Sequence, residues 1–219
     1  MSVMRARTFL LGAYHDLPNV LFIGSLILGT LTGYLPLVWL ALGMLMNAGV
    51  IQLFQSLFQF LFPTWTQIIK PANQMACDIY SRASGFAILD KNAVSVVAPS
   101  HWIGAATFFT VFIIYNSIRV MLKPAASGVE TDKVDNRRAY TMSTAIIGMC
   151  FLGLIFMRGF TGCDTLFGFV TALIIGSSIG IGFWHLLDAC GSGNVPDVLN
   201  VINSMAPSGS GTVPVVCTT

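Results

Sequence analysis

The sequence has few charged residues. Only 9% of its 219 residues are charged and 55% are hydrophobic, whereas soluble domains carry about 25% charged residues. The net charge of +2 is small, and no basic stripe with interleaved aromatic residues occurs, so we expect no nucleic-acid partner. With a mean hydropathy of +0.77, the composition predicts an integral, multi-pass membrane protein, but it does not indicate which membrane.

The sequence also lacks the cysteine patterns of a disulfide framework or a zinc site. It has five cysteines, an odd number, and none of them form a close pair. The ligand spacings typical of zinc sites are absent as well. We therefore expect no metal and no cofactor.

Five long apolar runs are present, over residues 20–35, 37–62, 102–120, 141–156 and 166–187. Crossing a hydrocarbon core of about 30 Å takes about 20 helical residues. Continuous runs favour helices over the alternating pattern of a β-barrel. The sequence thus predicts an all-α, polytopic membrane helical bundle of about five transmembrane helices. The fourth run is short, and a tight re-entrant pair is an alternative for the first two runs.

Polar segments interrupt the runs and follow the last one. We expect residues 1–190 to form the bundle, with a long polar loop at 63–100 and a charged loop at 121–140. Residues 191–219 read as an extramembrane tail, rich in Gly, Ser and Pro, with a short amphipathic helix. Such a tail is flexible when free. We expect neighbouring protein subunits to hold it, and membrane lipids to surround the bundle.

Polar side chains occur within the apolar runs. Gln52, Gln55 and Gln59 are spaced three and four residues apart, which places them on one helical face. Amides that face lipid are costly, so this face should point into the bundle. It would then serve either interhelical hydrogen bonding or a functional polar site. In the fifth run, Gly176 and Gly180 predict a close approach between helices.

Two short motifs open the third and fifth runs. Pro99, Ser100 and His101 precede the third run, where they suit ordinary helix capping or the binding of an anion. The sequence RGFTGCD, from Arg158 to Asp164, precedes the fifth. The order of spans, loops and motifs over about residues 37–187 resembles the type 2 phosphatidic acid phosphatase and haloperoxidase superfamily, although with one span fewer than its usual six.

The resemblance implies a phosphate site built from three motifs. These are Lys, six residues, then Arg-Pro; Pro-Ser-Gly-His; and Ser-Arg, five residues, His, three residues, Asp. In the superfamily the three cations neutralise a phosphate, one histidine attacks phosphorus, a second protonates the leaving oxygen, and the aspartate orients the nucleophile. Pro99, Ser100 and His101 match the second motif without its glycine, and Arg158 matches the arginine of the third.

This sequence departs from the superfamily at the remaining motif positions. Gln55 and Phe62 stand in place of the lysine and arginine of the first motif. In the third motif, Met157 replaces the serine, Asp164 the nucleophilic histidine and Gly168 the aspartate. Two cations are lost, and Asp164 brings a carboxylate to the place where the phosphate would sit. Between charges ~4 Å apart at an effective dielectric of ~20, each such change is worth about 4 kcal/mol.

These departures predict a non-catalytic protein with a vestigial site formed by Gln55, Ser100, His101, Arg158 and Asp164. We expect Arg158 and Asp164 to pair and, with His101, to fasten the third span to the turn before the fifth. The expected role is that of a structural or anchoring subunit of a large membrane-associated assembly, in an organellar complex or a membrane-lined viral shell. The alternatives are a lipid phosphate phosphatase with an altered active site and a lipid headgroup-binding protein.

Overall fold

The computed structural model describes residues 14, 16–61, 98–123, 131–160, 164–190 and 198. The described residues form five α-helices and no β-strand, which confirms the predicted all-α bundle. The helices are α1 (Leu17–Thr32), α2 (Leu35–Leu61), α3 (His101–Leu122), α4 (Thr131–Phe160) and α5 (Leu166–Cys190).

Four of the helices, α2 to α5, are long and apolar enough to cross a membrane, which is consistent with a multi-pass membrane protein. Helix α1 has 16 residues and is therefore about 24 Å long, somewhat less than the ~30 Å hydrocarbon core. It begins with Pro18 in its first turn and ends at Gly33, whose φ of 66° is left-handed. Helix α2 starts two residues later, so α1 and α2 form a helical hairpin.

The predicted charged loop at 121–140 is wrong over most of its length. Helix α3 continues to Leu122, and α4 begins at Thr131 and runs for 30 residues, about 45 Å. Asp132 in the first turn of α4 interacts favourably with the helix dipole. The charged residues Asp135 and Arg138 lie on exposed faces one turn apart. Charge therefore marks a helix that extends past the apolar layer rather than a loop.

Helix α3 lies at the centre of the bundle and packs against α2, α4 and α5. It lies close to the backbone of α5 at Gly176, where a Cβ atom would lie 2.6 Å from the backbone oxygen of Gly104. A Cβ at Gly180 would lie 3.1 Å from the backbone oxygen of Phe108. These contacts confirm the predicted close helix approach at Gly176 and Gly180.

Two clusters of buried side chains fill the bundle. The larger cluster joins α2, α3 and α5 and includes Phe108, Phe112 and Trp184. The second lies around Trp102 and Phe169, towards the start of α3, and joins α3, α4 and α5. The second cluster therefore lies next to the motif residues at the start of α3.

Most of the predicted polar loop (63–100) and of the predicted tail (191–219) lies outside the described residues. In the loop, the structure describes only residues 98–100. In the tail it describes only Val198, which is 8% exposed and belongs to the core cluster of α2, α3 and α5. At this position the tail packs against its own bundle.

Candidate functional site at the start of helix α3

The five motif residues lie at one end of the bundle. Helix α2 brings Gln55 to this end near its C-terminus, while Ser100 and His101 stand at the start of α3. Arg158 lies in the last turn of α4, and Asp164 comes just before α5. The order of the motifs in the sequence therefore correctly indicates that these five residues lie close to one end of the bundle.

Gln55 and His101 are direct hydrogen-bond partners. The Gln55 side-chain nitrogen donates to the backbone oxygen of Pro99 at 2.7 Å, and its Oε1 lies 2.9 Å from Nε2 of His101. An amide oxygen only accepts hydrogen bonds, so Nε2 of His101 carries the proton and donates. In the neutral ring this leaves Nδ1 as the unprotonated nitrogen. Gln55 thus fixes both the tautomer of the imidazole and its position.

Ser100 occupies the position before α3 with extended backbone (φ −72°, ψ 123°), as expected for an N-cap residue. Its hydroxyl makes no capping hydrogen bond to the first turn of α3. Its backbone is engaged instead: the amide donates to the Gly168 oxygen at 3.4 Å, and the carbonyl accepts from Gly104 at 3.0 Å. With 8% exposure, Ser100 joins the start of α3 to the first turn of α5.

Arg158 and Asp164 form the predicted ion pair. The Arg158 Nε donates to Oδ2 of Asp164 at 3.0 Å, and the side chains are 4% and 15% exposed. The guanidinium carbon also lies 4.5 Å from the ring centroid of Trp102, in cation–π geometry. Arg158 therefore lies between a carboxylate and an aromatic face in the interior of the bundle end.

Tyr14 and Trp102 extend this arrangement to a fourth part of the chain. The indole of Trp102 donates to the backbone oxygen of Tyr14 at 3.3 Å, and the two rings are 5.0 Å apart. The Tyr14 hydroxyl donates to the backbone oxygen of Leu154 on α4 at 3.2 Å. We call Tyr14, Trp102, Arg158 and Asp164 the Arg158 network. It joins a residue three positions before α1, the start of α3, the end of α4 and the residues just before α5.

The predicted contact of His101 with the ion pair takes an indirect form. His101 bonds to Gln55, while the next residue, Trp102, contacts Arg158. The motif residues thus form two adjacent units that meet at the first turn of α3. Trp102 and Tyr14 were not predicted as members of the site. The available signal was an aromatic residue directly after the Pro-Ser-His motif and another near the start of the first apolar run.

The predicted inward face of glutamines is wrong for two of its three members. Gln55 is half-buried, whereas Gln52 and Gln59 are exposed. Asn47, two turns before Gln55, is fully buried. The inward polar face of α2 therefore follows Asn47, Ile51 and Gln55, one residue in four, rather than the row of glutamines.

The electrostatics of the Arg158 network do not favour an added phosphate. The positive charge of Arg158 is opposed by the carboxylate of Asp164 at hydrogen-bond distance. A phosphate that approached Arg158 would meet that carboxylate, and like charges ~4 Å apart at an effective dielectric of ~20 repel by about 4 kcal/mol. Across the described part of the chain, no group of three or more His, Cys, Asp or Glu residues is placed to hold a metal ion.

Comparisons with protein-family models, curated proteins and solved structures found no match to the chain. The resemblance to the lipid phosphatase superfamily therefore depends on Pro99, Ser100, His101 and Arg158, together with the order of the motifs.

Proposed function

We propose that the protein is a non-catalytic integral membrane protein that serves as a structural or anchoring subunit of a larger membrane-associated assembly. Such an assembly would be an organellar complex or a membrane-lined viral shell. The observation that carries the proposal is the placement of Arg158, which is 3% exposed, paired with Asp164 and stacked on Trp102. A guanidinium in this position fastens helices and presents no net positive charge to a substrate.

The state of His101 supports the same proposal. In the superfamily that this chain resembles, the histidine of the second motif protonates the leaving oxygen. Here the Nε2 proton of His101 is directed at Gln55, which stands in place of a phosphate-binding lysine. A general acid must direct its proton at the reacting group, so the observed hydrogen bond favours a positioning role for this histidine.

The pattern of replacements also supports a bundle derived from a lipid phosphatase. Gln55 and Asp164 stand at two motif positions, and each pairs with a residue that the motifs retain, His101 and Arg158 respectively. Polar groups at a buried bundle end need hydrogen-bond partners. Replacements that supply such partners turn a ligand site into an internal contact between helices.

The second candidate is a lipid phosphate phosphatase with an altered active site. A lipid headgroup-binding protein would use the same site to bind the headgroup without hydrolysing it. The convergence of Ser100, His101, Arg158 and Asp164 at one end of the bundle favours them. Both require Arg158 to leave Asp164 and reach a hydrated pocket. Both therefore predict that phosphatidic acid binds at this end in an Arg158-dependent way, which the structural proposal does not.

The assembly role is tested by the size of the native particle. Membranes containing the full-length chain, extracted in mild detergent, should yield a particle clearly larger than one 23.6 kDa chain in its micelle. A variant that ends after Met205 keeps the buried Val198 and should separate from the larger particle, because the tail is the predicted contact with neighbouring subunits. If the full-length chain and the truncated variant both migrate as single chains, the assembly role is wrong.

A further inference from the structure

A second polar site lies at the opposite end of α3, where α3 ends and α4 begins. A cavity of about 510 Å³ opens there, within the range of about 300–1,000 Å³ typical of small-molecule sites. Three cations line it, Lys123, Arg137 and Arg138. Its apolar wall includes Leu122 and Met142, so the cavity combines positive charge with apolar surface.

Arg137 is the buried cation of this cavity. It is only 8% exposed, and its Nη2 donates to the backbone oxygen of Lys123 at 2.6 Å. This contact joins α4 to the C-terminal end of α3, a common position for arginine. The Nε atom, however, is buried without a hydrogen-bond partner among the described residues. An unsatisfied buried donor is unfavourable, so the guanidinium of Arg137 is only partly satisfied by the protein.

The charge balance around the cavity favours an anion. No acidic residue is among the described residues that line it. The carboxylate of Asp135 lies 3.8 Å from the guanidinium of Arg138, and both side chains are well exposed. An exposed pair at this distance is weak, so Arg138 is able to exchange Asp135 for a stronger anionic acceptor.

The location of the cavity indicates which anion fits. The apolar part of α3 ends at Leu122, and the candidate membrane span of α4 begins at Val134. The cavity therefore lies at the boundary between the apolar layer and water. Leu122 and Met142 are 68% and 60% exposed, so the apolar wall continues onto the lipid-facing surface. A ligand with a phosphate and acyl chains matches both parts, whereas a free phosphate matches only the cations.

We propose that the cavity at the junction of α3 and α4 binds the phosphate headgroup of an anionic phospholipid. The guanidinium groups of Arg137 and Arg138 donate to the phosphate oxygens, Lys123 adds positive charge, and the acyl chains lie along Leu122 and Met142. Basic cavities between membrane helices are known sites for anionic headgroups. This site is distant from the Arg158 network and does not depend on the proposed function.

The proposal is tested with the full-length protein in nanodiscs of phosphatidylcholine to which phosphatidylglycerol is added. Native mass spectrometry gives the affinity for each lipid, and thermal unfolding gives the stabilisation. Phosphatidylglycerol should bind more tightly than phosphatidylcholine and raise the melting temperature. Arg138→Gln, an exposed substitution that leaves the fold intact, should lower the affinity for phosphatidylglycerol about fivefold, the effect expected for one cation at an anionic headgroup.

Two further variants locate the binding. Arg137→Lys keeps the charge but removes the planar guanidinium, and it should also weaken phosphatidylglycerol binding several-fold. Arg119→Gln is the matched control, because Arg119 lies near the same end of α3 but stacks on Trp184 and does not line the cavity. Equal weakening by Arg119→Gln would show diffuse attraction and overturn the proposal. Equal binding of both lipids would overturn it too. If inorganic phosphate raises the melting temperature as much as phosphatidylglycerol does, the ligand is a free anion and the lipid proposal is overturned.

Discussion

The Arg158 network predicts an asymmetric response to the loss of either charge in its ion pair. The side chain of Arg158 is 4% exposed and that of Asp164 is 15% exposed, so an unpaired Arg158 side chain is the less hydrated of the two. Breaking a buried ion pair by removing one partner costs about 3–5 kcal/mol. Asp164→Asn should therefore reduce the free energy of unfolding by about 3–5 kcal/mol. Arg158→Met should reduce it by less, since the remaining carboxylate has better access to water.

The double variant gives the energy of the pair itself. Charges 3.0 Å apart attract by about 5 kcal/mol at an effective dielectric of ~20, and partial hydration of Asp164 lowers this value. We expect a coupling energy of about 2–3 kcal/mol, so that Arg158→Met with Asp164→Asn is clearly less destabilised than the sum of the single variants. Reversible unfolding in mixed detergent micelles is the assay.

The exposed pair of Arg138 and Asp135 is the matched control. Its atoms are 3.8 Å apart, and the side chains are 65% and 74% exposed, so the same cycle should give a coupling energy of at most about 0.5 kcal/mol. Equal coupling energies for the buried and exposed pairs would refute the reasoning. Single variants at Arg158 and Asp164 that leave the stability unchanged would also refute it, because contacts that join helices must contribute to the stability of the fold.

Two further substitutions test the packing around α3. Gly176→Ala should lower the free energy of unfolding by about 1–3 kcal/mol, because its Cβ would lie 2.6 Å from the Gly104 oxygen. Gly182→Ala should leave the free energy of unfolding unchanged, because its Cβ would have no atom within 4 Å. Comparable stabilities of these two variants would count against the close approach of α3 and α5. Gln55→Leu removes two hydrogen bonds and should cost about 1–3 kcal/mol, whereas Gln52→Leu on the exposed face should cost nothing. Unfolding in micelles measures both pairs, and a loss of stability with Gln52→Leu alone would contradict the assignment.

The sequence predicted those parts of the structure that depend on long apolar runs and short separations along the chain. Five runs became five helices because each run is continuous and apolar. The pairing of Arg158 with Asp164 was predictable because only five residues, two of them glycines, separate them in the sequence. The contact of Gly176 with α3 was predictable because small residues four apart allow helices to approach closely.

The remaining features depend on tertiary contacts that local patterns do not encode. The sequence does not predict the start of α4, because its charged residues are typical of a loop, whereas Asp132, Asp135 and Arg138 lie on exposed faces of a helix. The orientation of α2 was only partly predicted, since the direction of Gln55 depends on where α3 begins. The roles of Trp102 and Tyr14 depend on three chain segments that meet only in the folded bundle.

The central claim is that Arg158 holds the bundle together and does not bind a phosphate. Its most direct test is phosphate release from phosphatidic acid by the purified full-length protein in nanodiscs, beside the variant Arg158→Lys, which keeps the positive charge. We expect no release above that of empty nanodiscs from either protein, and a lower unfolding temperature for Arg158→Lys. Release by the folded wild-type protein that Arg158→Lys abolishes would contradict the account and make the site at the start of α3 an active site.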